Sequence, residues 1–275
     1  MTPRIHQLKI DFQVTPTVKR YVYLYVIEGR SCWLVDCGVD GAEQIVRKHL
    51  QSIGRQLADI RGIFLTHAHP DHIGAAAKLR ELTGCSIYAS AGERPWIEDI
   101  DLQFAERPIP NFYTLVNRSV SVDLVLKDGD TVKLEDGLTL RAVGTPGHSC
   151  DGLSYLLPEA RCIFTGDAIP VVGDIPIWVH AQNSRDSLEK LRGLTQTDTF
   201  YPAWDTAYDR TQADQKIRDA LGLMDTLEAA VKQCSGNTCS LDELALQVCE
   251  AMGMLHFLRN PLFRRTIESF LQASR

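Results

Sequence analysis

The densest set of chemically versatile side chains in this 275-residue chain is HAHPDH, which places His67, His69, Asp71 and His72 within six residues. The preceding RGIFL reads as a buried strand, so the motif begins where that strand ends. Residues two apart on extended backbone project to one side, so His67 and His69 could grip one cation together. Asp71 and His72 turn the other way as a helix begins, and one short loop could thus present two sets of ligands, as a two-metal site requires. Burying so many polar groups at an apolar corner without a cation would cost on the order of several kcal/mol. A further carboxylate, Asp205, ends a short apolar run broken by Pro202 in FYPAWDTAYD.

The elements around these residues are legible from pattern and punctuation. YVYLYVIEG and SCWLVDCG are apolar runs split by a turn, a hairpin that ends at Asp36 and Gly38. GAEQIVRKHLQSIG has helical spacing, with Gly54 as its expected C-cap. IGAAAKLRELTG predicts a helix closed by Gly84, and CSIYAS a short strand. Residues 91–120, rich in proline and aromatics, read as an insertion of short helices and loop. The segments VDLVLKDGDTVKLEDGLTLRAVGTPGH and LSYLLPEARCIFTGD, punctuated by DG turns, predict a meander of short antiparallel strands. A helix over about residues 184–194 leads into TFYPAWD. This order predicts an α+β fold of two sheets with helices packed outside.

The sequence resembles the metallo-β-lactamase superfamily, whose HxHxDH signature stands here as His67, His69, Asp71 and His72. Asp36 in LVDCG, His148 in TPGHS and Asp167 in FTGD follow in the family's order, and the element order from Tyr21 to Asp205 suits its αββα sandwich. By that resemblance His67, His69 and His148 would hold one metal, Asp71 and His72 a second, and Asp167 would bridge them; Asp36 would brace the turn. Cys150, two residues from His148, is an alternative soft ligand. The chain departs from the family where a final histidine ligand is expected after the strand near residue 200. Asp205 occupies that region and is read as the substitute ligand, with N-capping or a salt bridge as its other reading. Carboxylate for imidazole would favour Mn or Fe at that metal while still accepting Zn, the ion expected overall.

The expected activity is metal-dependent hydrolysis of a small ester, lactone or thioester by a metal-bound hydroxide, with Asp71 and Asp167 as catalytic carboxylates. A mononuclear iron dioxygenase of the persulfide dioxygenase type is an alternative, since His67, His148 and Asp167 make a two-histidine, one-carboxylate set. A non-catalytic metal-binding module is another. Trp96, Phe104, Phe112 and Tyr113 of the insertion, with Trp178, Val179 and His180 after FTGD, could wall a substrate pocket or belong to the core.

The expected domains are a sandwich over residues 1–208 and a helical, winged-helix-like region over 209–275. In the latter, LGLMDTLEAAVKQ and LDELALQVCEAMG are amphipathic, Ser240 is an N-cap, and SGNTCS implies a helix-turn-helix break. That region could cover the pocket, mediate a homodimer or simply pack on the sandwich. A formal net charge of −6 and runs of mixed sign argue against nucleic acid as the partner. No run approaches the roughly 20 apolar residues that cross a bilayer, and the N-terminus lacks a signal-like apolar core, so a cytoplasmic protein acting on a small molecule is expected. The eight cysteines form no CxxC pair and read as reduced.

Overall fold

Two six-stranded sheets face one another in the computed structural model, which describes residues 3–236 and 240–273. The first sheet begins with β1 (Arg4–Thr15), β2 (Val18–Glu28) and β3 (Cys32–Val35), antiparallel to one another. β1 goes beyond the expected elements: its only buried positions are Leu8 and Ile10, too few for the sequence to announce a strand. After α1 (Glu43–Ser52) come β4 (Ile60–Phe64), the short α2 (Pro70–Ile73), α3 (Ala76–Thr83) and β5 (Ser86–Ser90). Gly84 closes α3 at φ 69°, as expected, whereas α1 ends on Ile53 and leaves Gly54 as the left-handed residue beyond it. The insertion forms α4 (Arg94–Glu98), α5 (Ile100–Glu106) and α6 (Phe112–Leu115).

β6 (Leu124–Leu126) then completes the first sheet beside β5, with β3 to β6 all parallel. The second sheet is an antiparallel meander in which β7 (Thr131–Glu135), β8 (Leu138–Gly144), β9 (Leu153–Leu157) and β10 (Cys162–Gly166) pair in sequence order, whereas VDLVL, expected to open it, supplies β6 of the first sheet, because the helices of the insertion make the parallel crossover from β5. α7 (Ala181–Arg192) crosses over to β11 (Thr199–Pro202), parallel to β10, and β12 (Tyr208–Asp209) forms the edge. The parallel steps in each sheet are those bridged by helices, as crossover geometry demands.

Three apolar clusters give four layers. Phe64, Tyr88 and Trp33 of one sheet meet Tyr155, Phe164 and Leu140 of the other between the sheets. Val46, Leu50 and Leu79 pack α1 and α3 outside the first sheet. On the opposite outer face, Leu188 and Leu191 of α7 join residues of the tail helices α8 (Arg210–Ser235), α9 (Leu241–Met252) and α10 (Pro261–Ala273). Ser240 caps α9 with a reciprocal Glu243 contact, a capping box. Residues 237–239 of the expected SGNTCS break lie outside the described residues. Trp178, read as a pocket wall, is 2 % exposed and meets the ring of Phe270 edge-on at 5.8 Å, so it anchors the tail rather than lining a cleft.

Candidate metal centre

Each site residue leaves the end of a strand at the same rim of the sandwich. Asp36 follows β3 in the left-handed conformation, φ 59°. Its carboxylate accepts from the Thr66 amide at 2.8 Å, from the Thr66 hydroxyl at 2.9 Å and from His72 Nδ1 at 2.8 Å. The bracing role implied for Asp36 is thus what the hydrogen bonds display. Ala68, between the first two histidines, is held from both sides: its amide donates to Glu93 at 2.9 Å and its carbonyl accepts from Gln103 of α5 at 2.6 Å. The insertion helices therefore clamp the HAHPDH loop.

His148 follows Gly147, whose φ of 125° and whose contact with α7 admit no side chain: a Cβ there would lie 2.2 Å from Ser184 Oγ and 2.3 Å from its amide nitrogen. Asp167 follows Gly166, packed so closely on Thr66 that a Cβ would fall 2.6 Å from its hydroxyl. These contacts bring His67, His69, His148 and Asp167 together, one ligand atom of each lying within 4.8 Å of the others.

Hydrogen bonds fix which ring nitrogens bear lone pairs. The Ile177 carbonyl only accepts, so His148 Nδ1, 3.0 Å away, carries the proton and Nε2 is bare. The Thr66 hydroxyl gives its proton to Asp36, so it accepts from His67 Nδ1 at 3.0 Å and leaves His67 Nε2 bare. These two bare nitrogens stand 3.0 Å and 2.9 Å from His69 Nδ1. Burial drives all three imidazoles toward the neutral form, with His148 pushed down to about 4. One ring proton cannot fully serve two facing lone pairs; a cation at the centre satisfies every group.

The second set is different. His72 donates Nδ1–H to Asp36, and its Nε2 points at Asp167 Oδ1, 3.3 Å away, and at Asp71, 3.7 Å away; burial alone would lower this imidazole, but the three carboxylates around it raise its pKa well above the ordinary value. Both His72 Nε2 and Asp167 Oδ1 are buried without a hydrogen-bond partner. Burial alone would raise Asp167, but the imidazoles of His72 and His148 hold it below the ordinary carboxylate range, while burial and the charge of Asp167 raise Asp71. The donor types and these orphaned atoms fit a divalent cation.

Asp205 does not join either set. Its carboxylate accepts from the Tyr208 hydroxyl at 2.8 Å and from Lys216 at 3.1 Å, the salt-bridge reading of this residue. Asp205 therefore supplies no oxygen donor that would shift the preference toward Mn or Fe. Its neighbour Trp204 instead faces the site and donates Nε1–H to Asp167 Oδ2 at 2.9 Å. Cys150 points elsewhere, toward the Gly92 carbonyl and Glu93.

Beside the centre a small open cleft is lined by His148, Asp167, Ile169, Val171, Ile177 and Trp204, among others. The loop after FTGD is therefore a wall, through residues other than those expected. Phe112 is in the core, Trp96 packs against it with Nε1 bonded to Glu106, Tyr113 is 47 % exposed and His180 lies at the start of α7; none lines this cleft. Sequence reading missed Arg107 altogether. It directly follows α5, is only 5 % exposed, and its guanidinium has no hydrogen-bond or ion-pair partner among the described residues. Burial pushes it down to about 10, so it stays charged, and its field lowers the three imidazoles. An arginine after a helix in an irregular insertion carries no sequence mark of such burial.

A profile described as the metallo-beta-lactamase superfamily matches residues 17–203. Curated relatives include the hydroxyacylglutathione hydrolases of Hyphomonas neptunium, 30 % identical over 52 % of this chain and 48 % of that protein, and of Methylococcus capsulatus, 27 % identical over 74 % and 68 %. The chain spans about half the length of the first of these. Among solved structures, a metallo-beta-lactamase family protein from Thermus thermophilus superposes with a TM-score of 0.72 at 21 % identity, covering 98 % of this chain and 92 % of that one. A beta-lactamase domain protein from Burkholderia ambifaria gives 0.72 at 19 %, covering 98 % and 85 %. Among the described residues no helix is long and apolar enough to cross a membrane. On the profile match and the shared αββα architecture, the chain belongs to the metallo-beta-lactamase superfamily.

Proposed function

We propose that this protein is a metal-dependent hydrolase of small thioesters, with zinc as the ion its imidazole-rich set suits. The convergence of His67, His69, His148 and Asp167 carries the reading. Similarity to hydroxyacylglutathione hydrolases supports a thioester over the ester and lactone alternatives. A divalent cation held there would polarise the acyl oxygen and acidify a water. The protein's own groups do the rest. His148 and His67 keep their lone pairs inward because Ile177 and Thr66 take their outward protons. Asp167 stays ionised, while Asp71, with its raised pKa, is the better proton acceptor of the two carboxylates.

The apolar wall of Ile169, Val171 and Ile177 suits a short acyl chain. The test is hydrolysis of hydroxyacylglutathione thioesters beside neutral esters and lactones by zinc-loaded protein. Preferential thioester turnover that is lost in His67→Ala supports the proposal. Equal turnover in that variant, or lactone preference, refutes it.

A further inference from the structure

We infer that Thr266, on the last helix described, is a positioning residue for His148, acting through the Ile177 carbonyl. The inference rests on the reading of the cluster as a metal centre. The direction of the His148 ring is fixed by that carbonyl, which accepts from Nδ1 at 3.0 Å and so turns the bare Nε2 toward His69 and Asp167. Ile177 belongs to neither helix nor strand, so other contacts must hold its carbonyl in place.

Thr266 of α10 supplies them. Its side chain is fully buried, and its hydroxyl bonds to both neighbours of Ile177. It accepts from the Trp178 amide at 2.9 Å and donates to the Pro176 carbonyl at 2.9 Å, with the Leu262 carbonyl of its own helix farther off at 3.3 Å. A hydroxyl has one proton and two lone pairs, so both bonds form at once. One side chain thus grips the backbone on either side of the carbonyl that aims His148. The far end of the same stretch is tied to the residue before His148, since the Val179 and His180 amides donate to the Gly147 carbonyl at 2.7 and 3.1 Å. α10 is itself anchored, by Phe263 and Ile267 in the outer core and by Arg265, which donates to the Glu106 carbonyl at the end of α5. For packing alone a valine would fill the place of Thr266; the hydroxyl adds direction.

Equilibrium dialysis of metal-free protein against Zn²⁺, with circular dichroism and thermal melts as folding controls, tests this without any turnover. Thr266→Val keeps the shape and removes the hydroxyl. The expected result is zinc bound about tenfold more weakly, the low end of what loss of a hydrogen bond behind a metal ligand costs, and a mixture of His148 tautomers in ¹⁵N NMR of the metal-free protein. Thr266→Ser, which restores donor and acceptor, returns zinc affinity to within about twofold of the wild type. Phe270→Leu, which loosens the packing on Trp178 and leaves the hydroxyl alone, lowers Tm with zinc affinity unchanged. Wild-type zinc affinity in a folded Thr266→Val, no rescue by Thr266→Ser, or an equal loss of zinc affinity in Phe270→Leu each overturn the inference. Should Thr266→Val fail to fold, Thr266→Ala is compared with Thr266→Ser, and equal zinc affinity in the two overturns it. Absence of any tight ion in the wild type would overturn the metal-centre reading itself.

Discussion

Asp205→Ala separates a structural carboxylate from a ligand, because the two roles predict opposite outcomes. Tyr208 is 3 % exposed, and its hydroxyl gives its proton to Asp205 at 2.8 Å. Truncation strands that buried donor, at a cost of about 1–3 kcal/mol. The Lys216 partner is 38 % exposed, so its loss adds under about 1 kcal/mol. The sum is about 1–4 kcal/mol, which for a chain of this size lowers Tm by about 2–16 °C. Burial works to raise the Asp205 pKa, but the Tyr208 hydroxyl, Lys216 and the Thr206 amide together hold it below its ordinary 3.8. A group depressed in the folded state stabilises fully above its unfolded pKa and loses that contribution as pH falls through the folded value. The gap in Tm between wild type and variant should therefore be constant at neutral pH and shrink below about pH 4. Thermal melts across pH, with zinc content measured in parallel, provide the assay. Unchanged Tm with a lost metal equivalent would refute the assignment and restore Asp205 as a ligand.

Other perturbations follow from the same geometry. Gly147→Ala places a methyl 2.3 Å from the Ser184 backbone nitrogen at φ 125°, so it should lower Tm sharply and reduce zinc affinity through His148, whereas Gly54→Ala, with nothing within 4 Å, should cost about 1 kcal/mol. Asp36→Ala removes the acceptor of three buried hydrogen bonds and should destabilise by about 3–5 kcal/mol in urea unfolding. Arg107→Met removes a buried positive charge whose field acts on His67, His69 and His148 and would repel a cation there, so it should tighten zinc binding, which equilibrium dialysis can check.

Sequence pattern reaches far into this fold where one physical cause dominates. Three histidines in six residues at a strand end have few uses other than a cation, and HAHPDH does meet His148 and Asp167 in space. Gly84 and Ser240 mark helix ends by local chemistry alone, and both cap their helices as expected. Long-range choices are another matter. Trp204 and Asp205 are adjacent on a turn, and which of them faces the centre depends on Tyr208, Lys216 and Arg20, contacts far from the motif or on another strand. Aromatic residues near a motif likewise look alike whether they line a cleft or fill a core. Trp178 is settled by Phe270, over ninety positions away, and Phe112 by its place among Leu115 and Ile97. Arg107 is legible only once α5 is docked on the HAHPDH loop through Gln103.

The most direct test of a hydrolytic metal centre is turnover of a hydroxyacylglutathione thioester by protein loaded stepwise with zinc from the metal-free state, with dissolved oxygen recorded throughout. The account predicts hydrolysis that rises with the first tight equivalent, needs the imidazoles of His67, His69 and His148 and consumes no oxygen. Activity that appears only with iron and consumes oxygen on a persulfide substrate would contradict it and favour a dioxygenase.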